Sequence, residues 1–130
     1  VLSVDVDVKR VLDFYFQVCS IQTTVQQAAV SAATLANGGV CPTTNQKCFE
    51  AKVLKKLGPN ILNFGTNEHS EALGVHAQSS ISGAITIVIP KVMGLCVYAP
   101  GVDQSFVSCR ALEFVKLLLE KFPTLKNFKF

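Results

Sequence analysis

The stretch Ala84-Ile85-Thr86-Ile87-Val88-Ile89-Pro90-Lys91-Val92-Met93-Gly94-Leu95-Cys96-Val97-Tyr98 decides the fold. It lies within the most apolar run of the chain, from Gly83 to Gly101, which is long enough to suggest a membrane helix. Pro90-Lys91 and Gly94 interrupt its middle, and a proline removes a backbone donor that a spanning helix needs. Two short segments remain. Residues 84–89 are rich in β-branched side chains, which suit pleated backbone. Residues 95–98 follow after a turn over 90–94. The expectation is a strand, a turn and a strand, with no membrane span.

Moving outward from this hairpin, residues 72–77 predict a further strand on its N-terminal side. On its C-terminal side a helix is expected from about Ser105 to Phe122. Its residues Leu112, Val115, Leu118, Leu119 and Phe122 would face the core, and Pro123 would stop it. Nearer the N-terminus, Val8, Val11, Leu12, Tyr15 and Cys19 fall at helical spacing and make one apolar face. Asp5 and Asp7 stand near its start, where the helix dipole favours acids. A second helix begins at Thr24, where Thr24-Val25-Gln26-Gln27 fits a capping box. Ala28, Ala29, Ala32, Ala33 and Ala36 make this helix thin, so a neighbour can approach closely. Asn37-Gly38-Gly39 supplies its left-handed stop. The two helices are expected to pair as an αα-hairpin. A short third helix is expected from about Cys48 to Leu57, ended by Gly58-Pro59. The order of three helices, three strands and one helix predicts an α+β fold, with helices packed on an antiparallel sheet.

A chain of 130 residues has the size of one domain. Hydrophobic residues make up 49% and charged residues 16%, a balance too apolar for disorder. The net charge of +3 is modest. The lysines at 52, 55 and 56 and the tail containing Lys126, Phe128, Lys129 and Phe130 read as a solvated helix face and a frayed end. No nucleic-acid surface is expected. Cys19 and Cys109 lie in apolar helical patterns and are expected to behave as small core residues. Cys41 and Cys48 are close enough in sequence to bridge in an oxidising compartment. His69 and His76 have no cysteine at ligand spacing, so no metal site is expected. His76 reads as a structural histidine in a strand, and Phe14 and Phe16 read as core. The first residue is Val1, which is expected of a processed chain or an excerpt; no leader of signal-peptide type is visible, and an extracellular or organellar location is favoured.

Three segments carry a family resemblance. Residues 13–21 (Asp-Phe-Tyr-Phe-Gln-Val-Cys-Ser-Ile), 32–42 (Ala-Ala-Thr-Leu-Ala-Asn-Gly-Gly-Val-Cys-Pro) and 87–94 (Ile-Val-Ile-Pro-Lys-Val-Met-Gly) resemble, in order and near the right spacing, motifs of the serine-dependent glutaminases. The resemblance implies the β-lactamase/transpeptidase-like fold. It also implies hydrolysis of glutamine to glutamate and ammonia through a serine acyl-enzyme, with no cofactor.

A nucleophilic serine of this kind needs a lysine one helical turn on to accept the hydroxyl proton. No serine in the chain has Lys three positions later. Thr44-Asn45-Gln46-Lys47 has the spacing but lies in a loop. The family's Lys-Ser-Gly strand is matched by Gln78-Ser79-Ser80, without the cation. The residue that follows, Ile81, matches the family's backbone oxyanion donor. The family's Gly-x-Tyr-Asp-Phe tyrosine is matched by Leu62. Tyr15 matches the tyrosine that contacts bound glutamine. The resemblance thus implies Tyr15 and Ile81 as ligand-binding positions, and no catalytic residue is expected.

One domain spanning 1–130 is expected, lacking the N-terminal part of the family fold. Two readings of function follow. In the first, the chain is non-catalytic and acts by assembly, as a homo-oligomer or with a second chain that supplies the missing half, or by binding a small molecule. In the second, it is the C-terminal portion of a glutaminase that hydrolyses L-glutamine.

Overall fold

The computed structural model describes residues 6–62 and 73–130. Helix α1 spans Val8–Cys19, α2 Val25–Ala36 and α3 Ala51–Ile61. Strands β1 (His76–Ser79), β2 (Ala84–Ile89) and β3 (Met93–Tyr98) follow. Helix α4 (Cys109–Lys121) and a single 3-10 turn at Pro123–Leu125 close the chain.

The expected hairpin is present. β1, β2 and β3 form one antiparallel sheet in that order, with Gln78 opposite Thr86 and Ile87 opposite Leu95. A three-residue turn joins β2 to β3, closed by a bond from the Val92 N–H to the Ile89 carbonyl at 3.0 Å. The β1 strand lies later than the predicted 72–77. Residues 63–72 fall outside the described residues.

Alternation along the strands sends side chains to two faces, and each face carries a helix. Ala77, Ile85, Ile87 and Ile89 meet Ala111, Leu112, Val115 and Leu119 of α4, with Val107 between them. Each of these large aliphatic side chains contributes about 1.5–3 kcal/mol when fully buried. On the other face Val88 meets Ala32 and Ala36 of α2, together with Leu62. The α2 contact is unusually close. A Cβ built on Gly94 would come 2.6 Å from the Ala33 Cα and nearer still to the Ala33 nitrogen. The alanines of α2 and Gly94 of β3 therefore form one feature, a helix laid almost backbone-to-backbone on a strand.

The caps follow their chemistry. The Thr24 hydroxyl accepts from the Gln27 N–H at 3.1 Å, and the Gln27 side chain accepts from the Thr24 N–H at 2.9 Å, completing the capping box. Helix α4 starts at Cys109 and not near Ser105, because residues before it are held in a turn. The Asp103 carboxylate accepts from the Ser105 and Val107 N–H groups at 2.8 and 3.0 Å. Ser108 then caps the helix. It is fully buried, donates to the Ala99 carbonyl at 2.7 Å and accepts from the Ala111 N–H at 3.4 Å. Leu118 is half-buried, and Phe122 lies beyond the helix and is exposed, against the expected five-residue face.

Four other expectations are corrected. Helix α3 runs through Pro59 to Ile61 instead of stopping at Gly58-Pro59. At Gly58 the absent side chain leaves room for the Phe130 ring, which a Cβ there would meet at 2.8 Å. The αα-hairpin does not form: every residue of α1 is exposed, and none is buried against α2. Phe14 and Phe16, read as core, are 67% and 57% exposed. Helical periodicity says that a helix has an apolar face, and it does not say that anything covers it. For the same reason Cys19 and Cys109 are exposed, and the buried cysteine is Cys96. Among the described residues no helix is long and apolar enough to cross a membrane.

Candidate functional site

Strand β1 and the loop that follows it carry the segment 78–81 that the family resemblance singles out. Gln78 sits in β1 with its side chain exposed, and its amide donates to the Ser79 carbonyl at 3.1 Å. Beyond it the chain turns tightly. The Ser80 N–H donates to the Ala84 carbonyl and the Gly83 N–H to the Ser80 carbonyl, each at 2.9 Å. The Ser80 and Ser82 hydroxyls lie 3.0 Å apart. Gly83 adopts φ +93, and a side chain there would collide with the Ala99 carbonyl, so only glycine fits. The turn holds Ile81 at its tip, 75% exposed. Among the described residues no hydrogen bond engages its N–H, which leaves that donor open to a ligand.

Tyr15 lies on α1, also exposed, with its ring centroid 5.9 Å from that of Phe16. A hydrogen bond with the Cys19 thiol, one turn on, raises the phenol pKa above its ordinary value. Tyr15 and Ile81 stand on separate elements, α1 and the β1–β2 turn. The cavity beside the loop, about 350 Å³, is lined by Ile21, Thr24, Val25, Ser82, Cys96 and Tyr98 among others, and by neither of the two.

Leu62, at the position matched to the family tyrosine, is the C-cap of α3. It is 5% exposed, packed in the core with Ala32, Ala36 and Val88. It offers neither a hydroxyl nor access to solvent. Thr44 and Lys47 do not lie on a helix. The Thr44 hydroxyl accepts from the Gln46 N–H at 3.3 Å, and the Lys47 ammonium pairs with the Glu50 carboxylate at 2.6 Å. A lysine so engaged is not placed to take a proton from Thr44.

The histidines split. His69 lies outside the described residues. His76 is half-buried in β1, its ring 4.9 Å from that of Phe130. Burial lowers its pKa, and a hydrogen bond to the Phe128 backbone partly opposes that shift. Among the described residues no group of His, Cys, Asp and Glu is arranged to hold a metal ion.

Cys41 and Cys48 are unbridged. The Cys41 sulfur lies 3.2 Å from the Thr43 hydroxyl. Hydrogen bonds from the Thr43 and Thr44 hydroxyls, then from their backbone, lower its pKa to about 6. Sequence reasoning missed this thiol. The signal was two hydroxyl residues at the second and third positions after it, each able to turn back onto the sulfur.

The model of the glutaminase family matches residues 2–128. A protein of Caenorhabditis elegans bearing the name glutaminase 2 is 41% identical over 115 residues, 85% of this chain and 19% of that protein. The mitochondrial liver-isoform glutaminase of Rattus norvegicus is 36% identical over 90% of this chain and 20% of its own length. The glutaminase of Bacteroides fragilis is 35% identical over 85% of this chain and 36% of its own. The crystal structure of Mglu in its glutamate form superposes with a TM-score of 0.82 at 25% identity, covering 92% of this chain and 28% of that one. The chain thus spans well under half the length of these relatives. With a family-wide match along nearly its whole length and three family motifs in order, the chain belongs to the glutaminase family.

Proposed function

We propose that this part of the molecule carries no acyl-transfer chemistry of its own and acts as a glutaminase-like unit completed by another polypeptide. The observation that carries the reading is Leu62. A buried leucine, packed among Ala32, Ala36 and Val88, occupies the position matched to the family tyrosine. Gln78 strengthens it, because an amide at the position of the family lysine cannot supply a positive charge. No serine followed by lysine at helical spacing is available within these 130 residues.

Helix α1 supports the assembly half of the reading. Val8, Val11, Leu12, Tyr15 and Val18 lie exposed. Apolar surface left in water costs about 25 cal/mol for each Å². Either a second copy or a chain with the rest of the family fold would cover this face. A small molecule held at the open Ile81 N–H is compatible with both.

A second reading, the C-terminal portion of a glutaminase that hydrolyses L-glutamine, is favoured by the open Ile81 N–H at the tip of an ordered turn. Ammonia release from glutamine separates the two. The chain alone, and the chain combined with a polypeptide carrying the N-terminal part of the family fold, are expected to release none. Light scattering after size-exclusion chromatography is expected to give a species larger than one chain. Turnover by the combined protein that disappears on substitution of a single upstream serine would establish the second reading. A stable monomer at micromolar concentration would remove the assembly claim.

A further inference from the structure

Phe130 lines two cavities that share one cation. The first, about 140 Å³, is walled by Leu35, Ala36, Leu54 and Pro90, with Lys55 and Lys91 also lining it. The second, about 330 Å³, is lined by Lys55, His76, Lys129 and Phe130. Lys55 and Phe130 belong to both. Among the described residues no side-chain carboxylate lines either one. The ion pair found among the described residues, Lys47 with Glu50, involves none of these lysines.

Lys91 adds an independent observation. It sits in the β2–β3 turn with φ +65, a conformation that side chains bearing a Cβ avoid. Its N–H donates to the Ala36 carbonyl at 2.7 Å, which ties the turn to the end of α2 and fixes the strained backbone. A glycine would hold the same turn without strain but would remove a cation from the cavity wall. Backbone strain held in this way collects at ligand sites.

We propose that the two cavities form one binding site for a small monocarboxylate with an apolar body. The apolar part lies against Leu35, Leu54 and the Phe130 ring. The carboxylate meets the Lys55 ammonium, and Lys91 and Lys129 add to the positive field. An apolar pocket with a few convergent charges is the usual form of a small-molecule site, and its size is too small for a peptide. A cavity of about 150 Å³ lined by apolar side chains is large enough to hold one benzene ring.

The probe is 3-phenylpropanoate, titrated into the unmodified protein while the His76 and Phe130 ring signals are followed by NMR. Saturable shifts of both rings are expected. The neutral isostere 3-phenylpropanamide and inorganic phosphate are each expected to bind at least about tenfold more weakly, since one lacks the charge and the other the apolar body. Lys55→Gln is expected to weaken the acid about tenfold, with the far-UV circular dichroism unchanged. Equal binding of acid and amide would refute the role of the lysines. Phosphate binding as tight as the acid would refute the apolar body. Absence of saturable shifts with the acid would refute the site.

Discussion

Gly94→Ala tests the closest contact in the fold. The Gly94 backbone can accept a Cβ, since its φ is not in the left-handed region; the obstacle is space. The new carbon would lie 2.6 Å from the Ala33 Cα, roughly 1 Å short of ordinary van der Waals contact, and closer still to the Ala33 nitrogen. These atoms belong to the backbone of α2 and cannot rotate away. The helix must lift from the sheet by about that distance, loosening Ala32 and Ala36 from Val88. Overpacking of a well-filled core costs typically 1–3 kcal/mol, and a clash with backbone belongs at the top of that range, about 3 kcal/mol. For a chain of this length that corresponds to a fall in melting temperature of roughly 10 °C. Gly38→Ala is the matched control. Gly38 has φ +66 with nothing within 4 Å of its would-be Cβ, so only backbone strain applies, about 1 kcal/mol. Thermal melts followed by circular dichroism compare the two. If Gly94→Ala destabilises no more than Gly38→Ala, the close packing of α2 on β3 is refuted.

Three further outcomes are expected. Ser108→Ala removes the α4 cap and leaves the Ala99 carbonyl without its hydrogen bond, and should cost about 1–2 kcal/mol in urea unfolding, with Ser108→Thr costing less. Cys41 should be alkylated by iodoacetamide with a half-maximal rate near pH 6, and Thr43→Val should move that midpoint upward. His76 is held below its ordinary pKa of 6.5 by burial. The fold therefore binds fewer protons there than the unfolded chain, so its stability is full above about pH 6.5 and declines as pH falls from there through the lowered folded pKa; His76→Gln should flatten that decline.

Much of the architecture is legible in the sequence because the local signals are strong. Thr24 and Gln27 announce a capping box, and Pro90 with Gly94 cuts an apolar run into two strands. The misses have physical causes. The periodicity of Val8, Val11, Leu12, Tyr15 and Cys19 is real, yet whether a neighbour covers that face is a tertiary matter. The start of α4 moved from Ser105 to Cys109 because the Asp103 carboxylate satisfies two backbone donors in a turn, a competition no hydrophobic pattern encodes. Helix α3 outran Gly58-Pro59, showing that a helix terminator read from sequence alone can be overridden. Tyr15 and Ile81 are singled out only by the family motifs, since neither an exposed helical tyrosine nor a loop isoleucine carries a chemical signal of its own. The acidic Cys41 thiol and the strained Lys91 depend on backbone geometry around them.

Helix α1 shares no core with the sheet. Its side chains add nothing to the melting of β1, β2 and β3, so a cut by protease in the exposed segment between Ser20 and Thr23 would leave the thermal transition of the remainder where it was. The helix is tethered to the sheet by a short strip of chain, with its apolar face open along its whole length.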